Sequence, residues 1–148
     1  MTDNNTSIQL ANAEAINAIS TIVSAEAGAT FCSIVNDGTR ENASKFYNAM
    51  NNPEFRVADF INKVIKVKDV LVEIRDLINE ETGEVDRVPR VVLIDDEGKG
   101  YQATSKGIYS AVKNAYIAFG AAPWDEPLEF TIKQRPTKNG SMLTADIR

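Results

Sequence analysis

The stretch "GYQATSKGIYSAVKNAYIAFG", residues 100–120, changes its periodicity midway. Tyr101 and Ala103 alternate with Gln102 and Thr104, the period-two pattern of a strand. Beyond Ser105 the apolar positions are Ile108, Ala111, Val112, Ala115, Tyr116 and Phe119, which share one helical face. Ser105 can cap the helix start and Gly120 can end it. A strand therefore runs straight into a helix, and the fold depends on what stands on either side.

Strands stand on both sides. Upstream, "VIKVKDVLVEIRDLIN" (64–79) is dense in Val and Ile and reads as one long strand. It exceeds the usual length of about five or six residues, so a bend is expected. "EETGEVD" turns the chain, and "RVPRVVLID" returns as a second strand with Pro89 near its start, where a missing donor is tolerated. "DEGKG" turns it again into the third strand, "YQATS". Downstream, "AAPWDEP" is a loop, "LEFTIKQR" a fourth strand, "PTKNG" a turn and "SMLTADIR" a fifth strand. Three strands, a helix and two strands predict a mainly β, α+β protein. The order is that of the OB-fold, a five-stranded Greek-key barrel with its helix between strands three and four. The helix is expected to plug the barrel bottom, and the long first strand to serve both halves of the curved sheet.

An N-terminal helical and strand extension precedes the barrel. Residues 1–13 read as a tail. Within "EAINAISTIVSAEA" (14–27), Ile16, Ile19 and Ile22 share a helical face, suited to packing on the domain or docking on a neighbouring copy. The expected division is an arm over 1–28, with a role in oligomerisation, and an OB domain over 29–148. "TFCSIV" (30–35) reads as a short strand. Thr39 caps a helix through "TRENASKFYNAMNN", which Pro53 stops.

Composition narrows the chemistry. The 148 residues are 43% hydrophobic, enough for one domain with a core. No run approaches the roughly 20 apolar residues of a membrane span, and the first residues lack the basic and apolar regions of a secretion signal. A cytoplasmic protein with no membrane contact is expected. Cys32 is the single cysteine, expected to be buried and inert. Histidine is absent, which excludes Ser/His and Cys/His catalysis and ordinary zinc sites. No catalytic residue, cofactor or metal is expected. The net charge is −5, but it is unevenly spread. Acids crowd residues 69–97, whereas 133–148 hold Lys133, Arg135, Lys138 and Arg148 against Asp146.

OB barrels bind oligonucleotides or oligosaccharides around strands two and three, walled by the loops joining strands one–two and four–five. A single strand needs aromatic platforms and a cationic track. Tyr101 lies on the third strand, Arg87 and Arg90 flank the second, and Lys99 sits in the turn between. Gln134, Arg135, Lys138 and Asn139 cluster at the hairpin joining strands four and five, and Lys66 and Lys68 alternate on the first strand. Read as a set these form a groove; read singly, each is equally a solvated strand cation. Phe46 and Tyr47 are adjacent, so one narrow helical stripe cannot bury both: either both are partly core, or one is exposed and Tyr47 joins the stacking candidates. Phe119 and Phe130 are assigned to the core. Trp124 is a lid over the barrel end or a loop residue packed on the helix. "DDEGKG" (95–100) is ordinary hairpin chemistry, with a metal-dependent nuclease site as the weaker alternative.

The run from "VKDVLVEI" through "RVPRVVLIDDEGKGYQATSKGIYSAVKNAYIAFG", followed by "PWDEPLEFTIKQR" and a "KNG" turn, resembles the single-stranded-DNA-binding proteins of phages and conjugative plasmids of Gram-positive bacteria. The resemblance covers about residues 60–147. It implies an OB-fold that coats single-stranded DNA without catalysis, often as a dimer or filament, and meets conjugation or replication proteins. By position it carries over to Tyr101, Gln134 and Arg135. The chain stops at "TADIR", so partner recruitment through a long acidic-hydrophobic tail is not expected. The alternative function is a protein-interaction or assembly module of a mobile element on the same scaffold, because fold does not fix function.

Overall fold

The computed structural model describes residues 30–138 and 140–148. In chain order the elements are β1 (Phe31–Cys32), α1 (Arg40–Asn51), β2 (Phe55–Arg56), a 3₁₀ turn (Val57–Phe60), β3 (Val64–Ile78), β4 (Val85–Asp95), β5 (Gly100–Thr104), α2 (Lys106–Phe119), β6 (Leu128–Thr137) and β7 (Gly140–Ile147). The arm residues Ile16, Ile19 and Ile22 lie outside the described residues.

The phase of β3 sets the curl of the sheet. Ile65 and Val67 are buried in the main core, and so are Val70 and Val72. Odd and even positions can share a face only if one residue is inserted between them. That residue is Lys68: Val67 pairs with Asp95 and Asp69 with Ile94, so β3 carries a bulge there. The bulge leaves the Lys68 carbonyl to accept the Trp124 amide at 2.9 Å. It also bends the strand. Val64–Val67 pair with β6, while the rest of β3 pairs with β4. The long strand thus serves both halves of the sheet, as its length implied.

The seven-stranded sheet runs β2-β5-β4-β3-β6-β7, with β1 paired to β3. Five of these strands occupy the expected stretches; β1 and β2 are two-residue additions. β1 is much shorter than "TFCSIV" suggested. β5 and β7 end the sheet without being neighbours, apart from the short β2 beyond β5. The result is a curled, OB-like half-barrel.

Helix α2 packs on one face of the sheet. Ser105 Oγ accepts the Ile108 amide at 3.1 Å, and Gly120, at φ +86°, ends the helix. Ile108, Val112, Ala115 and Tyr116 pack into the main core with Leu93, Phe130 and Ile132. Gly107 seats the helix start against β7, where an added Cβ would overlap the Leu143 carbonyl oxygen. Trp124 is buried edge-on to Tyr116, and its indole N–H donates to the Gly120 carbonyl at 3.1 Å. Phe130 is in the core as expected. Phe119 is not: it is 47% exposed and lines surface hollows beside β7 and beside Lys66.

Helix α1 covers the opposite face. Thr39 caps it, with Oγ1 accepting the Asn42 amide at 3.3 Å. Ala49, Phe46 and Met50 pack on Leu71, Val92 and Ile94, joined by Cys32 and Ile34. With both faces of the sheet centre covered, "VLV" and "VVLI" are continuous apolar runs. Burial pushes the Cys32 thiol up to about 11, so it is protonated and poorly nucleophilic at neutral pH.

Asp69 sits under this layer and accepts the Ser33 hydroxyl at 2.8 Å. Burial raises its carboxyl above the ordinary value; the Ser33 hydrogen bond and the Lys68 and Lys45 charges oppose the shift. The folded state then holds the proton more tightly than the unfolded state. Stability falls as pH rises through the window above the ordinary carboxyl value, and the penalty stays at neutral pH. Asp69→Asn keeps an oxygen for Ser33 and removes the buried charge. The variant is expected to melt higher than the parent at pH 7 and level with it in acid. Equal melting curves at both pH values would contradict this account of Asp69.

Candidate functional site

The open seam between β5 and β7 leaves a cleft of about 330 Å³, lined by Arg56, Ala58, Gln102, Ala103, Thr104 and Leu143. The lining follows from register. β2 runs parallel to β5, with Phe55 opposite Tyr101 and Arg56 opposite Gln102. Gln102 and Thr104 are two residues apart and share a face. Leu143 comes from β7 and sits opposite Gln134 of β6. The β6–β7 hairpin continues past the core from here, with exposed Gln134, Arg135, Pro136 and Thr137 leading to Lys138 at its tip.

Among the described residues, Arg56, Arg135 and Lys138 are exposed and make no ion pair. These cations are not spent on neighbouring carboxylates. Gln134 donates through Nε2 to Ser141 Oγ at 2.8 Å, which ties the hairpin strands together. Asn139 lies outside the described residues.

The other candidates fall elsewhere or are differently occupied. Arg90 is only 4% exposed. Its Nη1 donates to Glu73 Oε1 at 3.1 Å and its Nη2 to Gln102 Oε1 at 3.4 Å, so the guanidinium faces inward. Tyr101 is half-buried. Its ring stacks on Phe55 at 4.9 Å and meets Phe60 edge-on at 5.0 Å. Its hydroxyl donates to Asp95 Oδ2 at 3.0 Å. Burial, then the Asp95 contact, pushes the phenol up to about 12. Tyr101 therefore pins β2 to β5 and to the β4–β5 turn that precedes it.

Arg87 lies exposed on the β3–β4 hairpin, 3.4 Å from Asp76. Lys99 is 3.3 Å from Glu97. Lys66 lines a separate hollow with Asp96, Glu129 and Arg148, and half-buried Lys68 is the bulge residue. Tyr47 is 60% exposed but lines a hollow on the β1 side of α1, with Cys32, Ile34 and Thr39. The structure thus places Gln134, Arg135 and Lys138 on the exposed β6–β7 hairpin, whose Leu143 lines the cleft, and leaves the aromatic rings out of the cleft.

None of the six lining residues is among the sequence candidates, and three of them are polar: Arg56, Gln102 and Thr104. Gln102 and Thr104 are legible in the sequence as the strand face opposite Tyr101. Arg56 gave no signal, because a two-residue parallel pairing with β5 has no periodicity. The "DDEGKG" carboxylates resolve as turn chemistry: Asp95 Oδ1 accepts the Glu97 and Lys99 amides, both at 2.9 Å, and Oδ2 takes Tyr101. No helix among the described residues is long and apolar enough to cross a membrane.

Compared with protein-family models, residues 24–147 match the family described as phage single-stranded DNA-binding protein, of the Phi29 type. No curated protein and no solved structure gives a significant match.

Proposed function

The chain belongs to the phage single-stranded DNA-binding protein family, and from that premise we propose that it coats single-stranded DNA with little sequence preference and without catalysis. The strand crosses the open seam at β5 and passes along the β6–β7 hairpin. Phosphate contacts carry most of the affinity, with base stacking second, because the cleft wall is Leu143 and Ala58 rather than an open ring. The observation that carries this reading is the set of unpaired cations, Arg56, Arg135 and Lys138, where the half-barrel fails to close. An acidic total charge does not oppose it, since affinity depends on the cations lining the path.

The wider setting belongs to the same proposal. The sequence resembles PrgE, a conjugative-plasmid protein, and the working context we propose is plasmid transfer or phage replication in the cytoplasm. Copies associate along the strand as a dimer or filament, with the arm over residues 1–28 as the element that joins them.

Fluorescence anisotropy with a labelled oligothymidine tests the core of this reading. A rise at micromolar protein or below is expected, weakening linearly in log affinity against log salt, with a slope of only a few phosphates. No rise, or affinity indifferent to salt, would contradict it. One observation favours a second reading as an assembly module: Leu77, Ile78 and Val85 are exposed at the tip of the acidic β3–β4 hairpin. That reading gives no anisotropy change.

A further inference from the structure

We propose that the seam cleft is a site for one backbone phosphate of the bound strand. Arg56 supplies its charge, Gln102 and Thr104 supply neutral donors, and buried Arg90 is the positioning residue beneath them. The inference rests on the single-strand-binding reading and gives that site its chemistry.

The arrangement follows from register and donor chemistry. Arg56 stands opposite Gln102, and Arg90 stands opposite Thr104. All four side chains therefore belong to one face of the sheet. A guanidinium carries donors only, so the Gln102 side-chain oxygen must be the atom that turns to Arg90. That leaves the Gln102 Nε2, with two N–H groups, for the cleft that this residue lines. No hydrogen bond from that Nε2 exists among the described residues.

Arg90 cannot swing away to undo this. Its Nη1 is held by Glu73 Oε1, which also accepts Arg75 Nε at 2.9 Å. A charge this deeply buried is left uncompensated if it leaves its partner, so Arg90 stays on Glu73 and keeps a donor turned to Gln102. The cleft is left with a guanidinium, a fixed amide NH₂ and a hydroxyl. That set is rich in donors and poor in acceptors. It matches phosphate oxygens, which only accept, better than base edges, which also present N–H groups needing an acceptor.

The test compares the full chain with Arg56→Ala, Gln102→Met, Gln102→Glu and Arg90→Lys. Each is titrated with oligothymidine and with an abasic strand of equal length across a salt series. Arg56→Ala is expected to lower the salt slope by about 0.7, one phosphate. Gln102→Met should weaken both strands about tenfold at unchanged slope, as for one hydrogen bond to a charged oxygen, and should melt lower because buried Arg90 loses an acceptor. Gln102→Glu keeps a partner for Arg90 but points a carboxylate at the phosphate, so it should weaken binding further. Arg90→Lys should match Gln102→Met, and the double variant should be no worse than either. Wild-type affinity for Gln102→Met, a loss confined to thymidine, or losses that multiply in the double variant would each overturn the site. If the parent itself binds neither strand, the single-strand reading fails first.

Discussion

Replacing Arg135 and Lys138 together by glutamate is expected to weaken oligothymidine binding at least a hundredfold at low salt. Both side chains are exposed on the β6–β7 hairpin and make no ion pair among the described residues. Their charge is thus available to phosphates, and reversing it replaces two attractions by two repulsions. A tenfold loss per cation is about 1.4 kcal/mol, modest for a charge–charge contact at effective dielectric of about 20. The melting temperature should hardly move, because neither residue is buried. The milder pair, Arg135→Ala with Lys138→Ala, should flatten the salt slope by about 1.4, two single-strand phosphates. Binding within twofold of the parent for the glutamate pair would place the strand somewhere else.

The second large effect is structural. Alanine normally favours a helix over glycine by about 1 kcal/mol. Gly107→Ala should do the opposite here and cost about 2–3 kcal/mol, read as a lower urea midpoint at unchanged slope. The added Cβ meets the Leu143 carbonyl oxygen, which is backbone and cannot rotate aside. That contact is where α2 seats on β7, the end strand of the half-barrel. Relieving the overlap shifts the helix start or the strand that walls the cleft. Binding should therefore fall along with stability, unlike in the hairpin variants. A Gly107→Ala protein more stable than the parent would mean that helix and strand are not packed this closely.

These two sites show what the sequence discloses and what it hides. Period-two and period-3.6 patterns placed the long strand, the return strands and α2 nearly to the residue, because each is a local signal. A bend in the long strand was legible from its length, but the bulge that makes it was not: Val70, Leu71 and Val72 are all apolar, so the phase shift after Val67 shows only in the pairing. Non-local pairing was not legible. Arg90 looked like a surface cation until β3 brought Glu73 directly opposite it, 17 residues back in the chain. Tyr101 looked like an open platform until β2 laid Phe55 on its ring. In both cases the partner comes from another strand, and no pattern within either strand announces it. Phe119 differs for another reason: it continues the helical stripe but is the last residue of α2, where it lines surface hollows instead of the core.

The central claim is the path of the strand over the open seam. It is tested most directly by amide chemical-shift mapping of the isotope-labelled protein titrated with a short oligothymidine. The account predicts the largest shifts at Arg56, Gln102, Thr104 and Leu143, continuing along the hairpin from Lys133 to Met142. Shifts gathered instead around Lys66, Glu129 and Arg148, with the seam silent, would contradict it.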